Sequence, residues 1–213
     1  MKIPTIPEIE ALIQKRLEKR KHLALNHPTF NHSAVLIPIC SENGMLKFIL
    51  TKRTDTLKHH KGEISFPGGR QDQMDKDLTA TALRETEEEI GVKSEYVKIL
   101  GRLDDLFTIT RYIITPFVGI IRENIEYHSN TTEVAELLHV PLELFLTEDK
   151  FHEKKMVRNG TDYPLYYYYW NNYEIWGATA YIINQFIELI FDFQPSKLNF
   201  KRTDPRLVEY FLK

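Results

Sequence analysis

Cysteine is almost absent from this chain of 213 residues, which contains only Cys40. A single cysteine excludes an intramolecular disulfide and is typical of a reducing compartment. Cys40 ends the apolar run 35–40, so it is interpreted as a small buried apolar residue. The N-terminal segment contains Pro4, Pro7 and several charges, and it lacks the continuous apolar stretch of a signal peptide or a membrane span. A cytoplasmic location is therefore the default expectation.

An excess of charge of one sign is also missing, because 28 Lys and Arg residues balance 30 Asp and Glu residues to a formal net charge of -2. This balance predicts neither a nucleic acid partner nor a membrane partner, so any phosphate binding has to come from local clusters. The chain also lacks the Cys/His spacing of zinc sites, a Walker-type phosphate loop and any sign of a nucleophilic triad. A length of 213 residues with 42% hydrophobic content predicts one domain with short extensions.

Hydrophobic spacing in the first quarter of the chain predicts one helix and two strands. Apolar residues recur near helical spacing over residues 8–22, which predicts an amphipathic helix on the outside of the domain. The segments 33–40 and 45–52 are rich in Val, Ile, Leu and Phe, and Asn43-Gly44 between them is a strong hairpin signal. We therefore expect two antiparallel strands.

The rest of the chain mixes further short strands with two helices. A helix is expected between Asp77 as N-cap and Gly91 as C-cap, after a loop at 67–69, and a last helix is expected over 178–191. The aromatic run 166–170 is interpreted as a strand with one buried face in preference to a substrate platform. Further strands are predicted at 96–103, 112–121, 136–140, 165–170 and 173–176. This order indicates an α+β fold with α/β/α layers and not a repeated βαβ fold.

Three acidic side chains cluster on the helix that follows the glycine-rich loop. Glu85, Glu88 and Glu89 stand at i, i+3 and i+4, so they are predicted to share one face. Like charges at this spacing are unfavourable, and a Mg²⁺ or Mn²⁺ ion with its preference for hard oxygen ligands would remove that cost. Arg84 is expected to pair with Glu88 or to orient a neighbouring carboxylate. An acidic run is more often a solvated face, but the Phe-Pro-Gly-Gly loop at 66–69 favours the metal site, because its glycines allow close backbone approach.

Loop and helix together, FPGGRQDQMDKDLTATALRETEEEIGV over residues 66–92, resemble the Nudix box, G-x5-E-x7-R-E-U-x-E-E-x-G-U with U aliphatic. Its second half matches over residues 84–92, with Thr86 in the first aliphatic position. In its first half Asp75 takes the place of the Glu, and eight residues instead of seven precede Arg84, so no catalytic function is assigned to Asp75. The resemblance implies a Nudix-like α/β/α sandwich with a mixed β-sheet. It implies three segments: an N-terminal helical extension at 1–30, a Nudix hydrolase domain at 31–195 and a C-terminal extension at 196–213.

The stretch before the box, LTKRTDTLKHHKGEISFPGG, resembles the signature L-L-T-x-R-(S/A)-x3-R-x3-G-x3-F-P-G-G of the coenzyme A pyrophosphatase subfamily. Two positions differ from the signature: Thr54 replaces the small residue and Lys58 replaces the second Arg. The lysine keeps the positive charge but lacks the two parallel donors with which a guanidinium binds a phosphate. The matching positions are Leu50, Thr51, Arg53, Gly62 and 66–69.

The subfamily resemblance implies hydrolysis of coenzyme A at its diphosphate, which gives 3′,5′-ADP and 4′-phosphopantetheine. Mg²⁺, or Mn²⁺ in its place, would be held by Glu85 and Glu89, with Glu88 and a backbone carbonyl near Gly69 as further ligands. Glu85 is the first candidate for the general base. Glu133 is the second candidate, and a role as an ordinary surface loop residue is an equal alternative for it.

The 3′-phosphate of coenzyme A needs cations near the adenosine end. Basic residues that surround the glycine-rich loop in sequence are the candidates, and their alternative is a solvated basic turn. They are Arg53, Lys58, Lys61 and Arg70.

Two other functions remain open at the level of sequence. One is a Nudix hydrolase for another nucleoside diphosphate derivative, such as ADP-ribose or a nucleotide sugar, because the box handles only the diphosphate. The other is a non-catalytic Nudix domain that binds a nucleotide, which would be expected to lose box carboxylates that are all present here. Each interpretation has a small molecule as partner, and a homodimer is left open.

Overall fold

The computed structural model describes residues 4–55, 61–158 and 161–198, and this part of the chain forms α-helices and β-strands. Its α-helices are α1 (Ile6–Leu17), α2 (Leu78–Ile90) and α3 (Gly177–Phe191). Its strands are β1 (Asn31–Glu42), β2 (Met45–Arg53), β3 (Ile64–Ser65), β4 (Gly68–Arg70), β5 (Val97–Arg102), β6 (Leu106–Phe107), β7 (Tyr112–Ile121), β8 (Val134–Pro141), β9 (Phe151–Arg158), β10 (Thr161–Trp170) and β11 (Tyr173–Trp176).

Two sheets organise these strands. The larger one runs in the order β3-β2-β1-β7-β5, with β4 also paired to β1, β6 to β7 and β8 to β2. Its central pair, β1 and β7, is parallel, and its other pairs are antiparallel, so the expected mixed sheet is confirmed. The smaller sheet is antiparallel in the order β11-β10-β9.

The side chains of the central strands divide the core into two layers, because successive residues of a strand point to opposite faces. On one face Leu36 packs with Ala82 of α2. On the other face Ile37 and Phe48 enter the main core with side chains of α1 and α3. The expected α/β/α sandwich of the α+β class is therefore confirmed. None of the described helices is long and apolar enough to cross a membrane.

The N-terminal helix is shorter than its apolar pattern predicts, because it ends at Leu17 and not at 22. Beyond it the backbone N–H of Leu23 donates to the carboxylate of Asp104 at 2.6 Å, which holds the chain away from helical geometry. Ile9 is fully buried in the main core. The N-terminal helix thus packs into the main core of the domain. The predicted boundaries of the N-terminal extension at residue 30 and of the C-terminal extension at residue 196 stay predictions.

The glycine-rich segment predicted to be a loop forms the short strand β4. Gly69 lies opposite Ala34 of β1 in an antiparallel pair. Such pairing uses only backbone groups, so the absence of side chains does not prevent it. Gly68 has φ +155, and a Cβ there would overlap the carbonyl oxygen of Ala34. The glycines therefore let the loop approach β1 closely, and this position brings the loop under helix α2.

Candidate active site

Helix α2 is capped at both ends as its sequence predicts. The carboxylate of Asp77 accepts a hydrogen bond from the backbone N–H of Ala80 at 2.8 Å. Gly91 has φ 74, and its N–H donates to the carbonyl of Glu87 at 3.0 Å. Glycine adopts this left-handed backbone conformation without the steric strain that a side chain would cause, so Gly91 determines where the helix ends.

The buried face of α2 orients the acidic residues. Thr86, Ile90 and Ala82 are fully buried, whereas Leu83 is half-buried. The Thr86 hydroxyl donates to the carbonyl of Ala82 at 2.6 Å, so it is satisfied within the helix. A threonine therefore replaces the aliphatic residue of the box without an unpaired buried group.

The three acidic side chains do not share one environment. Glu89 has a side chain that is 6% exposed, and the side chain of Glu85 is 17% exposed. Glu88 is 57% exposed at the edge of the helix, although it contacts the same Arg84 guanidinium as Glu85. The inward pair Glu85 and Glu89 is thus the core of the candidate metal site, and a ligand role for Glu88 stays a prediction.

The glycine-rich strand β4 packs directly against the side chains of Glu85 and Glu89. A Cβ at Gly69 would lie 2.5 Å from the carboxyl carbon of Glu85. The carboxylate of Glu89 accepts a hydrogen bond from the backbone N–H of Gly68. Its Oε2 atom is buried and has no hydrogen-bond partner among the described residues. An unpartnered buried carboxylate oxygen is the kind of atom that a divalent cation would satisfy.

The electrostatics of the inward pair also fit a cation. Burial raises the pKa of Glu89 to about 8, with Arg53 opposing and the charges of Glu85 and Glu133 adding to the rise. Burial likewise raises the pKa of Glu85, where Arg84 opposes the rise and Glu88 and Glu133 add to it. A bound divalent cation would favour the ionised form of both carboxyls. Hard oxygen donors of this kind match Mg²⁺ or Mn²⁺.

Arg84 connects the helix to the segment before it. Its guanidinium donates to both carboxylate oxygens of Asp75, each at 3.0 Å, and its Nη1 lies 2.8 Å from Glu85 and 3.2 Å from Glu88. The pairing with Glu88 is as predicted, but the bidentate partner is Asp75. Asp75 had no role in the sequence-based interpretation, and in the structure it holds the arginine that contacts Glu85.

Asp75 is itself fixed by a network. Its side chain is 5% exposed, and it accepts further hydrogen bonds from the Thr81 hydroxyl and the Asp72 backbone N–H, both at 2.9 Å. The hydrogen bonds from Arg84 lower the pKa of Asp75 to about 2. A buried, ionised carboxylate therefore positions Arg84.

Glu133 lies at the start of β8, next to the inward pair. Its backbone carbonyl accepts a hydrogen bond from the N–H of Thr54 at 2.9 Å, and its side chain is exposed. Its charge adds to the rise in the pKa of both Glu85 and Glu89, which is otherwise due mainly to burial. This position is compatible with the catalytic role, which stays a prediction.

The predicted substrate cations divide between the site and the surface. Arg53 places its Nη1 atom 4.0 Å from the carboxylate of Glu89 and is 28% exposed. Lys61 and Arg70 are exposed. Lys58 lies outside the described residues. Among the predicted substrate cations that the structure describes, Arg53 is therefore the one that approaches the carboxylate pair, at Glu89.

Sequence comparison identifies the family of this arrangement. The NUDIX domain family matches residues 30–160. This chain belongs to the Nudix family. The uncharacterized Nudix hydrolase NudL of Photorhabdus laumondii is 40% identical over 160 residues, which cover 75% of this chain and 84% of the relative. A NudL protein of Yersinia pestis strain Pestoides F is 39% identical over 163 residues, covering 76% of this chain and 81% of its own length.

Among solved structures, a NUDIX hydrolase from Alicyclobacillus acidocaldarius is similar, with 21% identity, a TM-score of 0.48, and coverage of 59% of this chain and 84% of its own. The family match and the NudL relatives make this chain a Nudix hydrolase, an enzyme class that generally uses divalent metals. In this Nudix enzyme the carboxylate pair and the glycine strand belong to the matched region.

A mainly apolar cavity of about 380 Å³ lies beside Arg53 of this Nudix enzyme. Arg53 lies in its wall, so the cavity and the carboxylate pair share that side chain. Trp176 and Ile109 line it and are 38% and 53% exposed. The sequence pattern gives no signal for Ile109, because loop and strand residues distant in sequence form this cavity. Its apolar wall is suited to binding an apolar group.

Proposed function

We propose that this Nudix enzyme hydrolyses the diphosphate linkage of coenzyme A or its derivatives to 3′,5′-ADP and 4′-phosphopantetheine, or to the acylated form of the latter. The observation that carries the proposal is the shared position of Arg53, 4.0 Å from Glu89 and in the wall of the apolar cavity. If a metal ion on Glu85 and Glu89 binds the diphosphate, the group bonded to the diphosphate would lie in that cavity.

The chemistry of this neighbouring group supports coenzyme A. In coenzyme A the diphosphate is bonded through a CH2 group to a quaternary carbon of the pantetheine arm, and this carbon carries two methyl groups. In ADP-ribose or a nucleotide sugar the corresponding position carries a hydroxyl-rich sugar. Burial of unpaired hydroxyls against Trp176 and Ile109 would be unfavourable, whereas burial of methyl groups is favourable. The match of Arg53 and 66–69 to the coenzyme A pyrophosphatase signature supports the same assignment.

The residues have separate tasks in this proposal. Glu85 and Glu89 would hold Mg²⁺ or Mn²⁺, which neutralises diphosphate oxygens and lowers the pKa of a bound water. Glu85 is the first candidate to take the proton from the attacking water, and Glu133 is the second. Arg84, held by Asp75, orients Glu85 at 2.8 Å. Arg53 would neutralise charge on the diphosphate, because its guanidinium lies 4.0 Å from the carboxylate of Glu89.

A hydrolysis assay with Mg²⁺ on coenzyme A, ADP-ribose, NADH and UDP-glucose tests this proposal. Product identification by mass spectrometry should show 3′,5′-ADP and 4′-phosphopantetheine, with the highest kcat/KM on coenzyme A or an acyl derivative. A higher kcat/KM on ADP-ribose or UDP-glucose would overturn the substrate assignment. Absence of hydrolysis of all four, with tight nucleotide binding, would favour the non-catalytic alternative.

A further inference from the structure

Three potential metal ligands meet on the sheet away from the carboxylate pair. Cys40 and Glu42 stand two residues apart on β1, and His139 stands on β8. The cysteine sulfur, a carboxylate oxygen and an imidazole nitrogen all lie within 4.8 Å of one another. No other group of this kind occurs in the described residues. The Nudix box does not include any of the three.

The sheet itself brings these side chains together. Strand β2 lies between β1 and β8, with Lys47 opposite Cys40 and Ile49 opposite His139. Residues two apart on a strand share a face, and opposite residues of paired strands do so as well. All three donors therefore project from the face that carries α2. Because rigid strands supply the donors, their approach does not depend on a loop.

The site is buried on one side and open on the other. Cys40 is 4% exposed and packs with Ile49, Ile90 and Val92. The side chains of His139 and Glu42 are 26% and 34% exposed. An ion could thus enter from solvent and meet a thiol fixed in the apolar layer.

The donor set selects the class of ion. Thiolate, imidazole and carboxylate are the ligands of Zn²⁺, whereas Mg²⁺ does not take a thiolate. Zn–ligand distances of about 2.0–2.3 Å place tetrahedral donors roughly 3.3–3.7 Å apart. Side-chain donors already within 4.8 Å need only a small contraction to reach that spacing.

Neighbouring groups complete the surroundings of the three donors. The Oε2 atom of Glu42 accepts a hydrogen bond from Lys47 at 2.6 Å, and its Oε1 atom faces the imidazole of His139. One oxygen is thus oriented by the lysine while the other points to the site. The Tyr127 hydroxyl hydrogen-bonds with the Cys40 thiol, and its ring packs edge-on against His139 at 5.2 Å. The hydroxyl or a water could take the fourth position.

The charge balance is favourable despite the lysine. Thiolate and carboxylate carry two negative charges that offset those of Zn²⁺, so Lys47 adds to a neutral site. The thiol proton is released to solvent when the metal binds.

We propose that Cys40, Glu42 and His139 form a second metal site that takes Zn²⁺ and links β1 to β8 across β2. It is separate from the carboxylate pair, because Lys47, which lies opposite Cys40, and Arg53, which lies beside Glu89, are roughly 20 Å apart along β2 at about 3.3 Å per residue. The site would fix β8, which begins directly after Glu133.

Co²⁺ absorption spectroscopy of the full chain tests the site without reference to hydrolysis. Excess Mg²⁺ occupies hard oxygen sites, and Co²⁺ is then titrated in. We expect a saturable thiolate-to-Co²⁺ charge-transfer band in the near ultraviolet and visible bands of a four-coordinate ion. Added Zn²⁺ should displace Co²⁺ and remove both sets of bands, as its higher affinity predicts. No thiolate band in the wild-type protein would overturn the proposal.

Variants assign the bands to the three residues. Cys40→Ala should lose the thiolate band, and its persistence in that variant would contradict the assignment. His139→Gln keeps the buried cysteine and should weaken Co²⁺ binding about tenfold or more. His152→Gln, an exposed histidine of the second sheet, is the matched control and should bind Co²⁺ as wild type does. If Cys40→Ala does not fold, unchanged affinity in His139→Gln would be sufficient to reject the site.

Discussion

Replacement of Asp75 by Asn tests whether the buried carboxylate holds Arg84. The variant keeps the size of the side chain but removes its charge, and it places an amide donor against the guanidinium donors. Asp75 accepts two hydrogen bonds from Arg84, each at 3.0 Å, and its side chain is 5% exposed. We therefore expect a loss of stability and, because Arg84 contacts Glu85, a loss of turnover.

Two arguments give the same magnitude. The pKa of Asp75 falls from 3.8 to about 2, mainly through the hydrogen bonds from Arg84. At about 1.4 kcal/mol per pH unit this shift corresponds to about 2 kcal/mol of stability. Loss of a hydrogen bond between charged groups costs about 1.5–3 kcal/mol. Arg84 keeps Glu85 and Glu88 as partners, so the lower half of that range applies.

The sign of the pH dependence follows from the lowered pKa. The stabilisation by Asp75 is fully present above its unfolded pKa of 3.8 and is lost as the pH falls through about 2. Wild type and Asp75→Asn should therefore differ by about 2 kcal/mol at neutral pH, and the difference should shrink below about pH 4.

Urea unfolding at pH 7 and at pH 3, read by far-ultraviolet circular dichroism, measures this difference. Glu87→Gln is the matched control, because Glu87 is an exposed acid on the same helix, and it should change stability little. Equal stability of Asp75→Asn and wild type at pH 7 would refute the positioning role. A difference that stays constant down to pH 3 would show that charge is not the cause.

Three further predictions concern the site. In scanning fluorimetry Mg²⁺ at about 100 times its Kd should raise the thermal midpoint of the wild-type protein by about 5–10 °C, because binding at that concentration stabilises the folded state by about 2.7 kcal/mol. The rise should be smaller in the double variant Glu85→Gln/Glu89→Gln, and an equal rise in both proteins would place the metal elsewhere. Arg53→Ala should lower kcat/KM by roughly ten- to a hundredfold for both coenzyme A and dephospho-coenzyme A, whereas Lys61→Ala should lower it for coenzyme A alone. A loss in Arg53→Ala that is confined to coenzyme A would assign Arg53 to the 3′-phosphate, which dephospho-coenzyme A lacks. Gly69→Ala should lower kcat by roughly tenfold or more in steady-state assays, because the added Cβ would displace the side chain of Glu85. Gly44→Ala is the control and should keep its activity, because a Cβ there meets nothing within 4 Å; equal kcat in the two variants would contradict the close approach of Gly69 to Glu85.

The carboxylate helix could be predicted because its signals are local. Asp77 and Gly91 mark the ends of α2, and both caps are confirmed. The turn Asn43-Gly44 joins β1 and β2 as expected, with positive φ at both residues. Local backbone preference determines such features, so no tertiary contact is needed to find them.

Features that depend on tertiary contacts could not be predicted. The sequence predicts a loop where β4 forms, because its glycines carry no strand preference and only pairing with β1 makes the segment extended. Strand β9 was missed, since its run of charged residues lacks alternation and it forms by pairing with β10. Asp75 lies nine residues from Arg84, and the intervening loop, not a helical spacing, brings the two together. Glu42 and His139 are 97 residues apart, so no sequence spacing announces their contact.

The most direct test of the central account is the steady-state hydrolysis of coenzyme A with Mg²⁺ by wild type, Glu85→Gln and Glu89→Gln. Both substitutions keep the shape of buried side chains that carry the metal site, so the fold should survive while kcat falls by roughly a hundredfold or more. Near-wild-type turnover of coenzyme A by either folded variant would contradict the assignment of the carboxylate pair as the catalytic metal site.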